Sequence, residues 1–177
     1  MNLIKNIFVN YYLKKTSEVI DKPVNFDFNE VSDVLLIGQI NNATNLGMFN
    51  NIINQFKSLN INAMCVVFSE KKKLNTLNSN ENIHTIGLYD FSYKLQPKID
   101  SIKKILSDSY YLSICYPIDF TPFQKLIIKK INSNCKVGPF TENHDCFNLM
   151  IHYDKNDDTF AEYTQTTINY LQKLKTE

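Results

Sequence analysis

Residues 33–70 read DVLLIGQINNATNLGMFNNIINQFKSLNINAMCVVFSE, and this stretch decides the fold. It opens on an apolar run of strand length, residues 34–40. A polar loop follows. Leu46, Phe49, Ile53 and Phe56 then recur at the spacing of one helix face. AMCVVF, residues 63–68, is a second apolar run. Strand, loop, helix, strand is the unit of a parallel sheet, because parallel neighbours need a crossover that a helix supplies.

The alternation continues toward the C-terminus. IHTIGLY (83–89), YYLSICY (110–116), CKVG (135–138) and NLMIHY (148–153) read as strands. A helix is expected over about 98–107, with Pro97 near its start. Thr121, Pro122 and Gln124 predict the next one: a capping hydroxyl, a first-turn proline and the third-position amide of a capping box. Phe123, Ile127 and Ile131 are its expected buried stripe. Thr159 and Glu162 repeat the capping box before a last helix, whose stripe is Phe160, Tyr163, Thr167, Tyr170, Leu171 and Leu174.

Toward the N-terminus, DKPVNFDFNEVS (21–32) is a connection, and MNLIKNIFVNYYLKK (1–15) is helical in pattern. Leu3, Ile4, Ile7, Phe8 and Tyr11 fall on one face of that helix. The order is α, β-α-β-β-α-β-α-β-β-α. The expected fold class is therefore α/β: a three-layer Rossmann-like or flavodoxin-like domain with a mostly parallel sheet and an extra N-terminal amphipathic helix. Residues 1–20 are read as that helix and 21–177 as one domain.

Composition excludes several chemistries. The 19 basic residues are all Lys, and the net charge is +1. Without Arg there is no bidentate clamp for phosphate and no specific nucleic acid recognition is expected. The lysine cluster EKKKLN (70–75) reads as a solvated loop. The N-terminus lacks a signal-peptide pattern, and no apolar run reaches spanning length, so a reduced, cytoplasmic protein is expected.

The loop GQINNATNLG (38–47) occupies the position of a phosphate-binding turn but lacks its chemistry. Its glycines, Gly38 and Gly47, stand nine positions apart, and no Gly-Lys-Ser/Thr ending is present. Any ligand there would be held by side-chain amides and hydroxyls: Asn41, Asn42 and Thr44. Helix capping explains the same residues. If the sheet is doubly wound, Tyr116 and Asp119, after the fourth strand, face the same crevice. Asp119 has no acid or His close in sequence to work with, so helix capping competes with catalysis there. Cys135, His144, Cys146 and His152 are metal-capable types in a spacing that matches no common zinc pattern. Cys65 and Cys115 sit in apolar runs, as small hydrophobes do. No catalytic residue, metal or cofactor is expected.

The C-terminal stretch INSNCKVGPFTENHDCFNLMIHYDKNDDTFAEYTQTTINYLQKL (131–174), with the basic-aromatic N-terminal helix and VLLIGQINNAT (34–44), resembles a family of small uncharacterised α/β proteins from Bacteroidota. A more distant likeness joins YYLSICY, TPFQKLIIKKINS and CKVG to the N-terminal Rossmann-like domain of heptosyltransferase-type glycosyltransferases. That likeness implies descent from a glycosyltransferase-like domain; such enzymes have two Rossmann-like domains and bind the sugar nucleotide mainly in the second. Two departures weigh against expecting transferase activity: these 177 residues leave no room for a second such domain, and LSIC stands where an acidic residue is common. The leading expectation is a non-enzymatic interaction or adaptor protein with a protein partner docked on Ile4, Ile7, Phe8 and Tyr11, or a peripheral membrane contact through the same helix. The alternative is a small-molecule binder, for a sugar- or nucleotide-like ligand, using Asn41, Asn42, Thr44, Tyr116 and Asp119. A hydrolase using Asp119 or His144 is the third reading.

Overall fold

The computed structural model describes residues 3–15, 26–39, 44–69, 81–116, 120–140, 144–153 and 159–174. Helix α1 is Leu3–Lys15, β1 Asp33–Gln39, α2 Thr44–Ser58 and β2 Asn62–Phe68. Next come β3 (Ile83–Ile86), α3 (Asp100–Ser107), β4 (Ser109–Cys115) and α4 (Pro122–Lys130). The chain closes with β5 (Asn132–Pro139), β6 (Leu149–Ile151) and α5 (Phe160–Leu171). This is the element order read from the sequence. β5 is longer than its apolar run, because polar Asn132 and Ser133 pair with Ser109 and Tyr110 at the start of β4. β6 is shorter, only three residues at the sheet edge.

All six strands are parallel, in the order β3-β2-β1-β4-β5-β6. The chain winds outward from β1 to β3, crosses back, and winds outward again from β4 to β6. Direction reverses between β1 and β4. Of the two doubly wound orders expected, this is the Rossmann one. Both edge strands are short, which limits the unpaired backbone they expose.

Side chains alternate along a strand, so β1 feeds both faces of the sheet. Val34 and Leu36 pack with Phe49, Ile53 and Phe56 of α2 and with Tyr163, Ile168 and Leu171 of α5. Leu35 and Ile37 pack with Ile102 and Ile105 of α3 and with Ile127, Ile128 and Ile131 on and after α4. Both expected capping boxes form. The Thr121 hydroxyl accepts from Gln124 N–H while the Gln124 side chain accepts from Thr121 N–H, and Thr159 with Glu162 does the same. In α5 the stripe turns by one position: Thr164 and Ile168 are buried, whereas Tyr170 and Leu174 are exposed.

Helix α1 lies outside the three layers and packs on α4. Val9 meets Leu126 of α4 and Leu95 of the β3–α3 connection in a third apolar cluster, flanked by Phe8, Tyr12 and Leu13. The expected single apolar face is thus corrected. The helix is apolar on two sides. The side centred on Val9 docks, and Ile7 and Tyr11, roughly opposite it, remain 61% and 60% exposed. The side chains of Leu3 and Ile4 lie outside the described residues. Among the described residues no helix is long and apolar enough to cross a membrane.

Candidate functional site

Doubly wound sheets bind ligands beyond the carboxyl ends of their strands, at the reversal of strand order. Here the core beneath that point, on the α2 and α5 face, is closed by aromatic rings. Gly38 lets the Phe49 ring lie against β1: a Cβ at Gly38 would stand 2.1 Å from the end of that ring. The ring centroids of Phe49 and Tyr116 are 5.4 Å apart, and Phe160 and Tyr163 pack on Tyr116 at 5.2 and 5.7 Å. Such edge-on and tilted contacts add to the area that the rings bury.

Tyr116 therefore does not face a crevice. It is fully buried, and its hydroxyl lies 2.6 Å from that of Thr164. Thr164 donates its own proton to the Phe160 carbonyl at 2.7 Å, so Tyr116 is the donor to Thr164. Burial pushes its phenol far above the usual range. Asn41, Asn42 and Asp119 lie outside the described residues. Thr44 is the first residue of α2, and its side chain also lies outside them.

The open space lies further along the same end of the sheet, on the other face. A groove of about 740 Å³ runs between α1, the ends of β2 and β3, and the first turn of α4. Val9, Phe68, Ile86, Leu88 and Phe123 give it apolar walls. Phe123 is held edge-on by Phe68 and Phe91. Gly87 is required at its floor, since a Cβ there would meet the Tyr89 ring at 2.3 Å and the Ser69 carbonyl oxygen at 2.9 Å.

Several of its polar groups serve the scaffold. The Lys5 ammonium donates to the carbonyls of Leu88 at 3.0 Å and Phe91 at 2.8 Å, which ties α1 to the β3–α3 connection. Burial, and then the charge of Lys98, hold its pKa below the ordinary lysine value. The Gly87 N–H donates to the buried Asp90 carboxylate at 2.9 Å. The α4 N-terminus is closed by its capping box, and Pro122 has no N–H to offer. Leu95, pinned between Val9 and Leu126, holds a left-handed φ of 58°. That conformation is costly for leucine, so the α1 contact rests on a locally strained turn.

A smaller hollow of about 410 Å³ lies beside Val31 and Ile61, which precede β1 and β2. It is at the amino ends of the strands, the wrong end for ligand binding in this architecture.

The cysteines are packing residues. Cys65 and Cys135 belong to the α2 and α5 side of the sheet, and Cys115 and Cys146 to the other side. Burial raises all four thiols, to about 12 for Cys135 and about 11 for Cys146, so none is a ready nucleophile or metal ligand at neutral pH. Among the described residues no three His, Cys, Asp or Glu side chains gather as a metal site would require. The His144 side chain lies outside those residues, and His152 is exposed. His84, on β3, has a pKa lowered by burial.

A buried lysine escaped the sequence reading, as did the buried Asp90. Lys136 of β5 donates to the carbonyls of Ile128 at 3.1 Å and Lys129 at 3.2 Å, capping the C-terminal end of α4. Burial brings its pKa down to about 8. Lys129 in turn pairs with Asp145, whose carboxyl this contact holds below the usual range. Nothing in the spacing of Lys136 distinguishes it from the other lysines. Its role follows from the strand that seats it under the helix.

No curated protein and no solved structure matches the chain significantly. A family model covers residues 5–174, nearly the whole chain and all the elements described above apart from the first two residues of α1. The chain belongs to DUF6913, a family of unknown function.

Proposed function

We propose that the protein is a non-enzymatic, cytoplasmic interaction module whose docking element is α1. The observation that carries this reading is the outward side of that helix. Ile7 and Tyr11 stand 61% and 60% exposed, although the opposite side of the helix is anchored by Val9 and Lys5. Tyr93, 57% exposed, extends the surface through its edge contact with Phe8. α1 carries no acidic residue and ends in Lys14 and Lys15. An exposed apolar strip with a cationic border fits a partner that offers an apolar groove rimmed by carboxylates.

The test compares the native chain with an Ile7→Ser, Tyr11→Ser double variant of equal stability. Proteins captured from the native host are identified, and the leading one is purified and titrated. This reading expects saturable binding weakened at least tenfold in the double variant. Equal binding of both chains would remove α1 from the interface. Capture of anionic vesicles in place of a protein would replace the partner by a membrane surface.

A second reading is a small-molecule binder derived from a glycosyltransferase-like domain. The groove at the carboxyl end of the sheet favours it. The heptosyltransferase-like pattern of YYLSICY, TPFQKLIIKKINS and CKVG supplies a sugar- or nucleotide-like ligand as its starting point. A thermal-shift screen with sugars and nucleotides tests it. A saturable rise in melting temperature supports this reading, and its absence across the set argues against it.

A further inference from the structure

We infer that the groove beneath α1 binds an uncharged, largely apolar small molecule and rejects phosphorylated ones. This rests on the small-molecule reading above. It moves the site from the β1–β4 loops to the ends of β2 and β3, and it changes the ligand class.

The space fits: about 740 Å³ lies within the roughly 300–1,000 Å³ of ordinary ligand pockets. Aliphatic walls from Val9 and Ile86 face the aromatic rings of Phe68 and Phe123 across it. The polar groups decide the ligand's charge. Lys5 is the one charged side chain among the described residues that line the groove, and its ammonium already donates to two carbonyls. The first turn of α4 points no open cluster of N–H groups at the space, because its capping box and Pro122 close it. Among the described residues a phosphate entering here would meet neither an unengaged cation nor a donor nest, so the loss of its hydration would go unrepaid by them. An uncharged ligand avoids that cost. Asn6 and Asn10 place primary amides along the α1 rim, suited to a carbonyl or hydroxyl at one end of such a molecule.

The chain contains no Trp, so a single introduced indole reports on one place. The experiment titrates Nile red, an uncharged apolar dye, into the native chain and into Asn10→Trp, Asn6→Trp and the Ile7→Ser, Tyr11→Ser double variant. Folding of each is checked by circular dichroism. ATP is the phosphorylated probe, followed by calorimetry with the native chain and as a competitor of the dye. The expected result is one saturable dye site with blue-shifted emission, weakened at least tenfold by either indole at the rim. The double variant should retain it, and ATP should neither bind nor compete. Two rim substitutions guard against one that fails to fold. Dye binding that survives both indoles, or that disappears in the double variant, would overturn the proposal. ATP binding without dye binding would overturn the ligand class and leave the small-molecule reading standing. Binding of neither would overturn the proposal and leave the small-molecule reading to the thermal-shift screen with sugars and nucleotides.

Discussion

Beneath the ends of β1 and β4, aromatic rings close one face of the sheet; beside the ends of β2 and β3, on the other face, a helix bridges an open groove. Both regions belong to the same end of one sheet. In the closed half, Phe49 comes from α2, Phe160 and Tyr163 from α5, and Tyr116 from the residue after β4. Gly38 stands on the strand that carries a ligand-approaching turn in dinucleotide binders, but here its missing side chain admits a phenyl ring of the same chain. In the open half, α1 arrives from outside the layers and touches α4 and the Leu95 turn, leaving space beneath it. The strand order of a nucleotide fold is retained, while among the described residues the core beneath the reversal, on the α2 and α5 face, is filled by rings. The described groove lies on the other face, toward the β2 and β3 side.

The largest effect expected from this contrast is at the rings. Phe49→Ala should cost about 3–5 kcal/mol in urea unfolding, because it opens a closed cavity among rings that cannot collapse. Phe123→Ala should cost about half as much, since that ring is half-buried and its loss widens an existing groove. Equal costs would break the comparison.

Glycine substitutions sharpen it with opposite signs. Gly38→Ala should destabilise by about 1–3 kcal/mol as Phe49 is displaced. Gly47→Ala, in the first turn of α2 with nothing within 4 Å of the added Cβ, should stabilise by up to about 1 kcal/mol. A neutral Gly38→Ala would mean that the rings do not close on β1.

The two ends of α4 extend the contrast, since one rims the groove and the other is capped by Lys136. Burial lowers that lysine to about 8 in the folded chain, below its ordinary 10.5. Between those values the unfolded chain binds more protons, so this residue raises stability as pH increases from about 8 toward 10.5. From about pH 9 the buried thiols, whose folded pKa values are raised, act in the opposite sense. Lys136→Met should therefore flatten the stability slope between pH 8 and 9 and leave groove binding unchanged. An unaltered slope would mean that Lys136 is solvated in the native chain.

The smallest effect concerns reactivity. Ellman's reagent at pH 7 should find no fast-reacting thiol in the native chain and four after unfolding. If Cys115 or Cys146 reacted well before Cys65 and Cys135, the α4 side of the sheet would be the looser one.

Much of the fold was legible in the sequence because it depends on local signals. The apolar runs of β1 and β2, the spacing of Phe49, Ile53 and Phe56, and the boxes at Thr121 and Thr159 lie within a few residues of what they specify. The site was far less legible. Tyr116 ends an apolar run, and its direction is set by Thr164, 48 residues later. α1 is apolar on two sides, and only the distant Leu95 and Leu126 select the one that docks. The groove joins Val9, Phe68, Ile86 and Phe123 from four separate elements, so no motif records it.

The most direct test is a crystal of the chain soaked in phenol, a small uncharged aromatic. The account predicts phenol in the groove between α1 and Phe123, with the Phe49–Tyr116–Tyr163 cluster dry and unmoved. Phenol seated among those rings at the ends of β1 and β4, with the groove empty, would contradict it.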